Sequence, residues 1–215
     1  MRELLRERKD IYWLLAWPLL GAFYFVCKLF ISNYHIVHFA FDDKIPFLPA
    51  FVLPYVLWYL YVPGLMILTF LNNKDAFKRQ QFAFYTGAII CSLVFVIYPT
   101  MIDFRPDASG KGLFLWMVRI TYSNDTPAAN VFPSLHCYEA LSVHLTTFTV
   151  EPFKKKVIWR TASAISVLLI CLSTVFIKQH SFVDVISGCL MAVVSWLFIN
   201  ILFGGNKNGT ENKTV

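Results

Sequence analysis

Two histidines, an aspartate, an arginine and a serine stand at spacings that suit displacement at phosphorus. His180 and Asp184 are four residues apart, so on one helix face the carboxylate can reach an imidazole nitrogen. A carboxylate so placed fixes the tautomer and makes the other nitrogen a better nucleophile or base. His136 supplies a second imidazole able to protonate a leaving oxygen. Pro133 suits the first turn of a helix, which puts Ser134 where free backbone N–H groups point outward and attract an anion. Arg105 adds a bidentate clamp for phosphate oxygens. Glu139, one turn from His136, is placed to tune that histidine, to contact a headgroup or to sit on a polar rim. Taken alone, His180 with Asp184 reads as a structural hydrogen bond; the matched spacing of the other three favours chemistry.

The elements that must carry these residues are apolar blocks. Of 215 residues, 57% are hydrophobic and 15% charged, and the mean hydropathy is +0.57. A soluble domain of this length does not need so much apolar sequence. Long uninterrupted blocks, without alternation or helical spacing, are how lipid-facing helices read. Six spans follow from block length: 11–31, 47–71, 82–99, 133–150, 159–177 and 182–203. Backbone groups in hydrocarbon must pair within their own segment, so the expected fold is an all-α bundle of six transmembrane helices. The expected organisation is a cytoplasmic tail over 1–10, the helical domain over 11–203 and a disordered cytoplasmic tail over 204–215. Pro49, Pro54 and Pro63 are expected to kink the second span or mark its end. Within the long 100–132 loop, the stretch GLFLWMVRI is expected to lie along the interface or to re-enter the bundle.

The net charge of +6 sits in short clusters between apolar blocks, which argues against nucleic acid and for loops facing the cytoplasm. Arg2, Arg6, Arg8 and Lys9 precede the first span, Lys74, Lys78 and Arg79 follow the second, and Lys154, Lys155, Lys156 and Arg160 follow the fourth. The other side carries Lys44, Arg105, Lys111, Arg119 and Lys178. Both termini are therefore expected in the cytoplasm and the histidine site on the extracytoplasmic face of a multi-pass cell-membrane protein. The five cysteines match no zinc spacing and no disulfide framework, and the scattered carboxylates form no metal-binding cluster. No metal and no cofactor are expected. Asp125 reads as a cap or turn residue before span four, and His35, His38 and His144 read as packed or hydrogen-bonded side chains.

These motifs resemble the type 2 phosphatidic acid phosphatase superfamily, whose pattern is lysine, six residues, Arg-Pro; Pro-Ser-Gly-His; and Ser-Arg, five residues, His, three residues, Asp. Arg105–Pro106 matches the end of the first motif, with Tyr98 in the lysine position. Pro133-Ser134-Leu135-His136 matches the second, with leucine for glycine. Ser173-Thr174, His180 and Asp184 match the third, with threonine for arginine. The resemblance covers residues 98–184 and the helical topology. It implies that His180 attacks phosphorus to form a phosphohistidine, supported by Asp184, and that His136 protonates the leaving lipid oxygen and then activates the acceptor. Arg105, Ser134 and Ser173 would hold phosphoryl oxygens, with Tyr98 and Thr174 as secondary positions. Lys178, one turn after Thr174, is a candidate substitute for the missing cations. The expected activity is metal-independent hydrolysis of a phosphorylated lipid. Sphingomyelin and inositol phosphorylceramide synthases, which also lack these cations, resemble the chain in the His…Asp end of the third motif, and headgroup transfer between lipids is the alternative. An inactive lipid-binding relative is the third reading.

Overall fold

The computed structural model describes residues 9–151 and 153–204. The expected tails, with Arg2, Arg6, Arg8, Lys207 and Lys213, lie outside these residues apart from their inner edges.

The chain is mostly helical. A short turn at Lys9–Ile11 leads into α1 (Tyr12–Phe30), followed by α2 (Ala40–Lys44), α3 (Val52–Asn72), α4 (Lys74–Ile97), α5 (Leu113–Asn124), α6 (Leu135–Thr146), α7 (Val157–Phe176) and α8 (Phe182–Gly204). Among the described residues five helices, α1, α3, α4, α7 and α8, are long and apolar enough to cross a membrane. The apolar side chains they leave exposed, such as Leu60, Ile97, Ile158 and Ile201, have no place in water but a natural one in hydrocarbon. These helices make a multi-pass membrane protein.

The block expected as span four is different. Ser134 caps α6, which runs only to Thr146 before a 3-10 turn at Thr147–Thr149. Span length is set by the need to cross lipid, but α6 is enclosed by α3, α4, α7 and α8. Its Cys137, Tyr138, Ala140 and Val143 are fully buried. It is the axle of the bundle. Tyr138 reaches α4, where its hydroxyl donates to the carbonyls of Ala83 at 2.6 Å and Phe84 at 2.9 Å; a side chain at Gly87 would collide with its ring.

The third block also differs. Its helix starts at Lys74, eight residues before the expected start, because Asn73 Oδ1 accepts from the backbone N–H groups of Asp75 at 3.1 Å and Ala76 at 2.9 Å, an N-cap that stabilises a first turn. The polar stretch is helical because Phe77, Gln80 and Gln81 are buried in the bundle. Pro49 opens a 3-10 turn at Pro49–Phe51 before α3, and Pro63 lies inside that helix. The GLFLWMVRI stretch forms most of α5, which buries Val118 and leaves Leu113, Trp116 and Ile120 exposed.

At one end of the bundle the loops are stitched together. β1 (His35–Ile36) pairs in parallel with β2 (Thr100–Met101), His35 opposite Thr100 and Ile36 opposite Met101. Met101 also bridges Ala129. These few strand residues, absent from the all-α expectation, tie the first long loop to the second.

Candidate active site

His180 sits in the turn between α7 and α8. Two backbone N–H groups, of Gln179 at 2.8 Å and His180 at 3.1 Å, close on the Thr174 carbonyl and end α7. His180 Nδ1 faces the Val131 carbonyl at 2.9 Å and Asp184 Oδ2 at 3.4 Å. Both partners are acceptors, so the proton resides on Nδ1 and Nε2 carries the lone pair. Asp184 is fully buried, and its Oδ2 also accepts from Ser181 N–H at 2.9 Å. The carbonyl makes the shorter contact with the imidazole; the carboxylate is shared between ring and turn.

His136 stands in the first turn of α6. Its ring centroid lies 5.8 Å from that of His180, 4.7 Å from Tyr55 and 4.5 Å from Trp58. Its Nε2 is buried and has no hydrogen-bond partner among the described residues. Ser134 is fully buried, its backbone N–H donating to Asp184 O at 3.0 Å and its Oγ accepting from Cys137 N–H at 3.5 Å. The α6 N-terminus is thus docked onto α8 beside Asp184. Gly188 permits it, since a Cβ there would lie 2.4 Å from the Ser134 carbonyl oxygen.

The two histidines line a cavity of about 530 Å³ bounded by α1, α3, α4, α5, α6 and the loops. Trp17 and Gly21 of α1, Tyr55 and Trp58 of α3, and Glu139 of α6 belong to its wall. Phe25, Val56 and Tyr59 also line it and are substantially exposed, so it opens between α1 and α3 onto the apolar flank of the protein.

Arg105 approaches from behind this wall. Its Nη1 donates to the Asp125 carbonyl at 2.7 Å, its Nη2 to Asp125 Oδ2 at 2.5 Å and also to Gln179 Oε1, while the guanidinium lies over the Tyr122 ring at 4.8 Å. Asp125 and Gln179 line the cavity. Asp125 is therefore more than the turn residue expected of it, since it binds Lys28 Nζ at 2.6 Å and the Tyr24 hydroxyl at 2.9 Å as well.

The remaining expected positions are elsewhere. Lys178 Nζ donates to the carbonyls of Asp42 and Ile45, both at 2.6 Å; burial pushes its pKa below the ordinary lysine range, against the pull of Asp42 and Asp43. It anchors the α2 loop. Ser173 Oγ donates to Ile170 O at 2.6 Å and Thr174 Oγ1 to Cys171 O at 2.8 Å, both turned back on their own helix. Tyr98 stacks on His35 at 4.2 Å and is half exposed. None of these four is among the described residues lining the cavity. Asp42 was not expected at the site at all, yet it is buried and accepts from Ser181 Oγ at 2.7 Å and Phe182 N–H at 2.9 Å, capping α8 beside His180. Among the described residues no group of three or more His, Cys, Asp or Glu side chains is placed to hold a metal ion.

An apolar helical bundle that brings two histidines and an aspartate together at one end defines the class, a multi-pass membrane protein. The family model of the PAP2 superfamily matches residues 103–207, so this stretch of the chain is similar to that superfamily, whose members are typically phosphatases. The match includes Arg105, Ser134, His136, His180 and Asp184 and begins after Tyr98. No curated protein and no solved structure gives a significant match.

Proposed function

We propose that the chain is a membrane-embedded lipid phosphoesterase that works through a phosphohistidine on His180, at the extracytoplasmic face with both termini in the cytoplasm. The observation that carries this reading is the pairing of His180, its Nδ1 held by Val131 O and Asp184, with His136, whose ring lies 5.8 Å away in the wall of the same cavity. In the first step His180 Nε2 bonds to phosphorus, the bond from phosphorus to the lipid oxygen breaks, and that oxygen takes a proton from His136. In the second, neutral His136 removes a proton from the acceptor as it displaces His180. With water as acceptor the enzyme is a lipid phosphatase. The basic residues clustered on the opposite loops support the orientation.

A second reading, transfer of the phosphorylated headgroup to another lipid, is favoured by one observation. A monoester carries roughly −1.5 to −2 charges at neutral pH, yet Arg105 is committed to Asp125, and Tyr98 and Thr174 stand where the family pattern has cations. That environment suits a diester better.

Purified protein with defined lipids tests the proposal. His180→Ala is expected to abolish turnover and the acid-labile phosphorylated protein intermediate. Inorganic phosphate release marks hydrolysis of a monoester, and a new phospholipid marks transfer. Full activity in His180→Ala would reject the nucleophile, whereas no turnover by the wild type on any lipid tested would favour the lipid-binding reading of the fold.

A further inference from the structure

The turn that carries His180 is held by acids from two directions. From within the hairpin, Asp184 Oδ2 accepts from Ser181 N–H at 2.9 Å and faces His180 Nδ1 at 3.4 Å. From α2 comes Asp42, 139 residues before Ser181 in the chain. It is 1% exposed. Its Oδ2 accepts from the Ser181 hydroxyl at 2.7 Å and from Phe39 N–H at 3.0 Å, and its Oδ1 accepts from Phe182 N–H at 2.9 Å. The same loop takes the Lys178 ammonium on the Asp42 carbonyl at 2.6 Å and gives Leu48 N–H to the Phe176 carbonyl at 2.9 Å. Residues 42–48 thus grip both ends of 176–182.

The start of α8 shows what the second acid does. A helix leaves its first N–H groups without partners of its own, and three donors crowd beside the imidazole here: the N–H groups of Ser181 and Phe182, and the Ser181 hydroxyl. Ser181, two residues, Asp184 is the pattern of a capping box, in which hydroxyl and acid serve each other's backbone. Only half of the box forms. Asp184 takes Ser181 N–H, but the Ser181 hydroxyl turns to Asp42, and its contact with Val183 N–H is long at 3.4 Å. Without Asp42 the hydroxyl and Phe182 N–H would be left buried beside Asp184. They would then be unpaired, which is costly, or drawn to the carboxylate that faces the imidazole.

We propose that Asp42 is a positioning residue for the nucleophile: by taking the Ser181 hydroxyl and Phe182 N–H it fixes the backbone from which the His180 ring projects, and it leaves Asp184 to the imidazole. The inference rests on the phosphohistidine reading above and adds to it a residue outside the described cavity wall. A misplacement of about 1 Å at a reacting atom is worth roughly 10²-fold in rate, so a brace at this point acts on kcat. Substrate affinity, set by the wall, is left alone.

The test compares the protein with Asp42→Asn and His38→Gln in detergent micelles, on phosphatidic acid as a monoester and phosphatidylethanolamine as a diester. The asparagine keeps the shape but offers one acceptor oxygen where the carboxylate offers two. His38→Gln loosens the same loop at Asp43 and Asp103, away from residues 178–182. Asp42→Asn is expected to lower kcat roughly 10–10²-fold with KM changed less than about twofold, and His38→Gln to keep kcat within about twofold. A kcat unchanged in Asp42→Asn, or lowered equally in both variants, would show that Asp42 only stiffens the loop and would overturn the proposal. Should Asp42→Asn not fold, Ser181→Ala severs the hydroxyl link alone and is expected to cost about fivefold in kcat, the worth of one net hydrogen bond; no loss there has the same meaning. The imidazole is also read without turnover, by nitrogen NMR of protein carrying isotope-labelled histidine, with His180 assigned by its absence from His180→Gln. Its Nδ1 proton is expected to exchange with water at least about tenfold faster in Asp42→Asn. An unchanged His180 signal would overturn the positioning role even if neither lipid were turned over. Full activity in His180→Ala would overturn it by a different route, through the nucleophile itself.

Discussion

Asp125 grips Arg105 twice, through its backbone carbonyl at 2.7 Å and its carboxylate at 2.5 Å. Across 97 residues the same carboxylate takes Lys28 from α1 at 2.6 Å. One acid thus fixes the guanidinium and fastens α1, otherwise a helix at the edge of the bundle, to the loop beside the histidines.

Removing that acid leaves two cations in a poorly hydrated place, where the side chains of Lys28 and Arg105 are 6% and 14% exposed. Breaking a buried pair from one side costs about 3–5 kcal/mol. Asp125→Ala is therefore expected to lower the thermal unfolding temperature in detergent markedly. Combining it with Arg105→Ala is expected to cost less than the sum of the two single changes, because the stranded charge has gone. Additive losses would show that the pair does not act as one.

Asp184→Asn is expected to slow turnover without unfolding the bundle. In a serine protease triad the equivalent change costs about 10⁴-fold because the imidazole takes the wrong tautomer. Here the Val131 carbonyl at 2.9 Å already requires a proton on Nδ1, and an acceptor-only carbonyl cannot be satisfied by the other tautomer. The loss is expected to be smaller, roughly 10–10²-fold in kcat by comparison with that value, with KM nearly constant. A loss as large as that of His180→Ala would mean that the carboxylate, not the carbonyl, sets the tautomer.

Gly188 is the point of closest approach between α8 and the start of α6. A Cβ there would meet the Ser134 carbonyl oxygen at 2.4 Å and the Ser134 carbonyl carbon and Tyr138 N at 3.3 Å, all of them backbone atoms that cannot swing aside. Gly188→Ala is expected to cost about 1–3 kcal/mol by overpacking and to reduce kcat by parting Ser134 N–H from Asp184 O. Gly64→Ala in α3, where a Cβ meets nothing within 4 Å, is the control; it is expected to be neutral or stabilising by up to about 1 kcal/mol. Equal behaviour of the two variants would count against the close contact.

What could be read from the sequence was local. His180 and Asp184 on one turn, and Ser134 and His136 at a helix start, are defined by spacing within a few residues, and short-range geometry carries them. The role of Asp125 is not local, since its partners lie 20 and 97 residues away and nothing in NDTP distinguishes a turn aspartate from a counter-ion. The α-helical part of the 133–150 block stops at Thr146; block length assumes contact with lipid, whereas the neighbours of α6 enclose it. The earlier start of α4 had a visible sign in Asn73, a capping residue ahead of Lys-Asp-Ala, obscured by the polar stretch that follows. Counting along a helix sets Lys178 one turn after Thr174, but α7 ends before it, at Phe176. Its φ of 51° puts it in the left-handed region and turns its side chain towards the α2 loop.

Lys178→Met follows from that turn. The ammonium makes two charge-assisted hydrogen bonds to carbonyls of the α2 loop, each kind worth about 1.5–3 kcal/mol, and reaches no described wall of the cavity. The expected result is a lowered unfolding temperature with a KM for lipid that changes less than about twofold, or about 0.4 kcal/mol. A several-fold rise in KM at unchanged stability would return Lys178 to the substrate.

A last expectation concerns pH. His38 Nε2 lies 2.8 Å from Asp43 Oδ1 and its Nδ1 2.9 Å from Asp103 Oδ1, so both ring nitrogens face acceptors and only the imidazolium can donate to both. The hydrogen bond to Asp43, helped by the charges of Asp43 and Asp103, raises the His38 pKa above its ordinary value of 6.5 despite an opposing desolvation. A group whose pKa is raised on folding stabilises the fold fully below its unfolded pKa and loses that contribution as pH climbs through the raised one. The clip between the α2 loop and the loop after α4 is therefore expected to be closed in mild acid and to loosen above neutrality. Both carboxylates are exposed, so salt is expected to weaken it as well. The measurement is the unfolding temperature across about pH 5.5 to 8.5, the range in which histidine titrates, for the protein and for His38→Gln. The difference between them is expected to be largest at the acid end and to shrink as pH rises; a difference that stays constant, or grows with pH, would show that the imidazolium does not hold the two loops together.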